Sequence, residues 1–202
     1  MLTLFQKGGP VMWPLLLASM ISLGVVFERI LFIIRERRSR RPQAIEKILT
    51  DAEQGNIHDA IKEEDSPDFV VRVLVYGLRH REKAFSNALL QAANQELKRF
   101  SQGLTVLDTT ITLAPLLGLL GTVTGMIHAF GLLGKQELSS PTVITGGIAE
   151  ALIATAFGLG IAILALIPFN YLNARLEDAR HEIEDACTHL ELILRKPDRR
   201  MI

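Results

Sequence analysis

Thr122, Thr155 and Glu150 stand in sequence that otherwise offers little chemistry. All three lie in apolar runs long enough to cross a bilayer. A hydroxyl has no acid–base range near neutrality, so neither threonine can carry a proton by itself. Each can hydrogen-bond water or a carboxyl group in either charge state. Glu150 is the one charged residue of its run, and an ionised acid at that depth costs at least a few kcal/mol. It is therefore neutral, paired or beside water, and a role in function is the first expectation for it. Counting along ideal helices from the outer ends at 134 and 143, both threonines lie twelve residues in, about 18 Å deep. By the same count His128 and Glu150 share an outer layer, and Asp108 and Asn170 an inner one, at a possible inner mouth. A lone membrane threonine commonly bonds its own i−4 carbonyl. The matched depth of the pair is what points to a shared polar path.

Those residues need helices that approach closely. On a helix, Asp108, Ile111, Pro115, Gly118, Thr122, Gly125 and Ala129 form one three-four face, with Gly121 beside it. Gly147, Ala151, Thr155 and Gly158 form another. Small residues let backbones come together, for packing alone as readily as for a channel. Pro115 removes one helical hydrogen bond and leaves the Ile111 carbonyl without its donor. That carbonyl is tolerable only against protein, a hydroxyl or water, so the face is expected to point inward.

Three segments can cross a membrane: 11–34, 104–134 (whose uncharged run begins at 109) and 143–172. The fold expected is all-α and polytopic. Residues 1–10 form an outer N-terminal segment and 135–142 an outer loop. Residues 35–103 form a cytoplasmic helical domain and 173–202 a cytoplasmic helical tail. The N-terminus reads as an uncleaved anchor, since no small-x-small site follows the apolar run. Orientation follows from charge. Residues 35–103 hold thirteen Lys/Arg and the tail six, against Lys7 and Lys135 on the other side. Short amphipathic helices are expected over AIEKILTDAEQ and NIHDAIKEE, broken near Gly55-Asn56, with another starting at Ser66-Pro67. Phe85, Leu89, Ala93, Leu97, Phe100 and Leu104 step toward the second span, with Gly103 the weak point. Leu176, Ala179, Ile183, Ala186, Leu190 and Ile193 make a coiled-coil-like seam. Spans two and three are both expected to run on as long helices into the cytoplasm.

Other classes of function find no support. GLLGTVTG lacks the GK[ST] ending and the strand of a phosphate loop. No nucleophile–base–acid set is visible, so no catalytic residues and no enzyme activity are assigned. His181 and His189 do not make a metal pattern, the single Cys187 excludes an internal disulfide, and no cofactor is implied. A net charge of zero argues against nucleic acid. A passive oligomeric scaffold, a self-sufficient transporter carrying ions on Glu150, and sodium in place of protons stay open on the residues alone.

LAPLLGLLGTVTGMIHAF (113–130) and GGIAEALIATAFGL (146–159), followed by Asn170, resemble the two signature spans of the MotA/TolQ/ExbB proton channel family, nearest its ExbB/TolQ branch. The resemblance covers the whole chain. It departs at Thr124, where many relatives have Trp, and at Leu164, where a proline is common and here stands at Pro168. It implies a homopentameric ring in the inner membrane around the helices of two copies of a single-span ExbD- or TolR-like partner. Proton-motive force would be passed on through a TonB- or TolA-like protein to outer-membrane transport or envelope processes. It assigns the pore threonines to Thr122 and Thr155 and the third-span acid to Glu150. It also supplies the acid that the threonines lack, an aspartate on the partner helix.

Overall fold

The computed structural model describes residues 8–61, 66–133 and 141–195. Every regular element among them is helical: α1 Met12–Ser39, α2 Pro42–Glu53, α3 Ile57–Ile61, α4 Phe69–Arg79, α5 Arg81–Ser101, α6 Leu104–Leu133 and α7 Pro141–Arg195. Three of them, α1, α6 and α7, are long and apolar enough to cross a membrane. Lys7, Lys135 and most of the loop expected at 135–142 fall outside the described residues.

The helix ends follow from local chemistry. α1 runs past 34 to Ser39, with Arg37 and Arg38 in its last turn, where cations suit the helix dipole. Pro42 then opens α2 at a position whose missing N–H costs nothing. The Asp68 carboxylate accepts the Val70 N–H at 2.9 Å and so caps α4. α5 carries one non-helical residue at Ala84.

The helix expected to run from the 83–103 region into the second span is interrupted. α5 stops at Ser101, and Gly103 adopts φ +78° before α6 begins. That left-handed conformation favours glycine. A Cβ there would lie 2.7 Å from Val25 Cγ1. The Gly103 carbonyl instead receives the Val106 and Leu107 N–H groups, starting a new helix. The third span, in α7, continues unbroken to Arg195, and its glycines and Pro168 are all accommodated within the helix.

The chain divides into two compact units. The polar unit contains Ile30–Gln102 and the chain from Leu172 onward. Its core combines Ile48, Val70, Val71, Val73, Leu74, Leu78 and Leu89 with the α7 residues Ala179, Ile183, Ala186 and Leu190, all buried. The three-four stepping from Leu176 is thus a packing seam within this unit. Phe100 meets Phe32 and Phe69 edge to face, with centroids 5.3 and 5.1 Å apart. Arg72 grips Glu96 with two hydrogen bonds of 3.0 and 2.7 Å. Asp68, wholly buried, also accepts from the Arg40 guanidinium at 2.7 Å and the Arg41 N–H at 2.6 Å.

The apolar unit holds residues up to Arg29 together with Gly103–Tyr171. Val11, Met12 and Leu15 at the start of α1 are buried with Ala114 of α6 and Ala162 of α7. Most large apolar side chains on the outside of these helices are exposed, among them Leu23, Phe27, Leu116, Ile127, Leu164 and Ile167. Such a surface suits hydrocarbon rather than water.

Candidate ion path

In the apolar unit α6 and α7 touch along a seam of small residues. A Cβ added at Gly118 would lie 3.0 Å from the Thr155 Cα and 3.1 Å from the Ala154 carbonyl oxygen. One at Gly158 would lie 2.5 Å from the Ala114 carbonyl oxygen and 3.1 Å from the Gly118 Cα. Gly121 faces the Ala154 methyl, Gly125 faces Ala151 and the Gly147 carbonyl, and Gly147 faces Ala129. The seam therefore unites Gly118, Gly121, Gly125, Gly147, Ala151 and Gly158. With so little side chain between them, the two backbones approach until main-chain atoms meet.

The contact face of α6 is rotated from the expected one. Its buried positions are Leu104, Leu107, Thr110, Ala114, Gly118, Gly121, Gly125 and Ala129. Asp108 is exposed, while Ile111, Pro115 and Thr122 are half-exposed on the flank. The three-four rule allows two adjacent stripes that share Gly118, Gly125 and Ala129, and the smaller residues win the contact. Ala114 and Ala154 belong to it and were not singled out from the sequence. Their signal was present, since Ala114 with Gly118 and Ala154 with Gly158 are four apart.

The threonines do not face each other. Thr155 lies opposite Gly118, about one helical turn from Thr122. Counting from assumed outer ends placed them level, but the helices are offset along their seam. The Thr155 hydroxyl donates across the interface to the Gly118 carbonyl at 2.9 Å. In an α-helix that carbonyl is also the acceptor for the Thr122 N–H, four residues on. The two threonines thus converge on one carbonyl. The Thr122 hydroxyl donates to the Leu119 carbonyl of its own helix at 2.6 Å. Thr109, Thr110, Thr112 and Thr124 likewise bond back into α6. Thr155 differs from all of these in bonding a second helix.

With their protons donated to carbonyls, the Thr122 and Thr155 oxygens offer lone pairs to whatever approaches. Both residues are partly exposed within the chain. Glu150 is half-buried and packs against the turn before α1, where a Cβ on Gly9 would overlap one of its carboxylate oxygens. The turn Gly8-Gly9-Pro10 carries no sequence signal beyond that of a loop. Asn170 is exposed, like Asp108. Among the described residues, no three His, Cys, Asp or Glu side chains gather as metal ligands.

The model of the MotA/TolQ/ExbB proton channel family matches residues 42–185. A putative biopolymer transport protein, ExbB-like 1, from Synechocystis is 36% identical over 204 aligned positions, covering 95% of this chain and 78% of that one. The biopolymer transport protein ExbB of Neisseria gonorrhoeae is 39% identical over 95 residues, 47% of this chain and 43% of its own. The Tol-Pal system protein TolQ of Haemophilus influenzae is 38% identical over 94 residues, 46% of this chain and 41% of its own.

Proposed function

The chain belongs to the MotA/TolQ/ExbB proton channel family, and from that premise we propose that it is the ring-forming subunit of an inner-membrane motor driven by proton-motive force. Five copies would surround two copies of a single-span ExbD- or TolR-like helix, each bearing an intramembrane aspartate. A TonB- or TolA-like protein would receive the work for outer-membrane transport or envelope processes. The arginine-rich stretch after the first span favours Ile30–Gln102 and the tail on the cytoplasmic side, with the N-terminus outside.

The observation that carries this reading is the Thr155 hydroxyl bound across a glycine seam to Gly118. It places a polar oxygen, with free lone pairs, where two helices are too closely packed to need it for adhesion. The nearest acid along α7 is Glu150, five residues away, and α6 has none after Asp108. Acceptor oxygens suit a protonated carboxyl group, which has an O–H to donate, better than a carboxylate, which has none. A partner aspartate would therefore be welcomed at Thr122 and Thr155 when neutral and less so when charged. Protonation from one side would let it enter the sleeve, and deprotonation toward the other would make its stay costly. Each proton crossing 100 mV releases about 2.3 kcal/mol, the energy available to turn one component against the other. Small residues keep the wall close, and Pro115 leaves a carbonyl beside the path.

The experiment is proton flux through proteoliposomes holding the chain co-purified with its single-span partner. Thr155→Val removes the hydroxyl at nearly constant volume. Assembly should persist and flux should fall at least about tenfold, the scale of removing one well-placed polar group from a dry site. Wild-type flux at equal protein levels would end the threonine argument. Flux from the chain without any partner would favour the self-sufficient transporter carrying ions on Glu150. A complex that assembles but never conducts would be a scaffold.

A further inference from the structure

Gly9 plays no part in the path described above, yet it meets the Glu150 side chain. It adopts φ +74°. A Cβ there would overlap the Glu150 Oε1 and lie 3.0 Å from its Cδ and 3.3 Å from its Cγ. A Cβ on Gly8 would lie 3.2 Å from the Ile153 Cγ2. Ile153 is three residues beyond Glu150, so two successive glycines rest on one face of α7. The turn is fixed from its other side. The Met12 N–H donates to the Gly9 carbonyl at 3.2 Å and the Trp13 N–H to the Pro10 carbonyl at 3.3 Å. Met12 and Leu15 are 1% and 0% exposed. Moving the turn off Glu150 would mean unpacking the first turn of α1.

We propose that the Gly8–Pro10 turn is a clamp on the Glu150 carboxylate, and that Gly9 is a positioning residue for the ion path. The proposal rests on the channel reading. Glu150 sits five residues from Thr155 on the same helix. Its carboxylate can take several directions about three side-chain torsions, and the bare Gly9 backbone makes room for the one it adopts. The first span thereby acts on the path through the turn that precedes it. The clamp also ties the acid to α1 of its own chain, which sets it apart from a freely moving carrier.

In the assembled complex, Gly9→Ala pushes the carboxylate aside, and proton flux per complex falls about tenfold, as expected when an oriented group moves by an ångström or so. Glu150→Asp retracts the carboxylate by one methylene, so adding Gly9→Ala to it costs no more than about threefold, because the two changes are coupled. A glycine needed only for its backbone conformation would cost the same factor in both backgrounds, and that result overturns the clamp. Gly55, at φ +81° with open space around it, isolates the conformational part through Gly55→Ala.

A second measurement does not depend on flux. With Cys187→Ser, the pair Gly9→Cys and Glu150→Cys should oxidise to an internal disulfide, since a Cβ on Gly9 would lie 3.3 Å from the Glu150 Cγ, the atom that the cysteine sulfur replaces. Gly24→Cys with Glu150→Cys should not, because nothing lies within 4 Å of a Cβ at Gly24. Failure of the first pair to close removes the clamp. If the wild-type complex conducts no protons, the channel reading fails and the cross-link alone decides the clamp. If it conducts and Gly9→Ala leaves the flux unchanged, the clamp fails and the channel reading stands.

Discussion

Gly158→Ala is the sharpest probe of the seam. The added Cβ would meet the Ala114 carbonyl oxygen at 2.5 Å, and the Gly118 Cα and N at 3.1 and 3.2 Å. All three are backbone atoms, so no side chain can swing away. Restoring a normal separation moves α6 and α7 apart by about 1 Å. The Thr155 hydroxyl then stands well beyond hydrogen-bonding distance of the Gly118 carbonyl, from which it is now 2.9 Å. Interhelical bonds of this kind in membranes are worth about 0.6 kcal/mol and at most about 1.7. Overpacking adds about 1–3 kcal/mol. Alanine returns about 0.5–1 kcal/mol through its better helix propensity. The net expected loss is about 1–3 kcal/mol. Gly160→Ala on the same helix is the control, because nothing lies within 4 Å of a Cβ there. It should be neutral or stabilising by up to about 1 kcal/mol. Unfolding of the purified protein in mixed micelles, followed by helical circular dichroism, compares the two. If Gly158→Ala proves as stable as Gly160→Ala, the helices are not in backbone contact and the register of the seam is wrong.

Asp68→Ala should destabilise the polar unit by about 3 kcal/mol, because it removes a helix cap and leaves the Arg40 and Arg41 donors short of a partner. Hydrogen exchange over Phe69–Arg79 would show it, and Asp68→Asn, which keeps an acceptor, should lose less. Acid should weaken the same unit through Glu96. Burial raises that carboxyl's pKa, but the hydrogen bond and charge of Arg72, with those of Arg99, outweigh burial and hold it below its ordinary 4.5. A carboxyl whose folded pKa is depressed contributes stability that is complete above the unfolded value and lost as pH falls through the folded one. Exchange protection over Arg81–Ser101 should therefore fall below about pH 4.5, and fall less in Glu96→Gln. Gly103→Ala should disturb the junction before α6, since both the positive φ and the Val25 side chain oppose a Cβ. Faster exchange at Val106 and Leu107, whose N–H groups bond the Gly103 carbonyl, would register it, and unchanged exchange would argue against a required turn there.

Hydropathy and charge were enough to establish three apolar helices and a polar helical remainder. A bilayer's thickness sets the length of an apolar run, and nothing distant in the chain is needed to read it. The small-residue pattern was legible for the same reason, since three-four spacing is a property of one helix. Breaks at Gly55-Asn56 and near Ser66-Pro67 follow from local backbone preferences. Three features depended on how the helices pack. Thr155 meets Gly118 and not Thr122, because the offset between two helices is set by which small residues let their backbones touch. Gly103 ends the helix before α6 because its surroundings, Val25 among them, leave room for a left-handed turn and for no side chain. Gly9 meets Glu150 although 141 positions separate them. Periodicity orders residues along one helix, and contact between helices is a property of the packed chain alone.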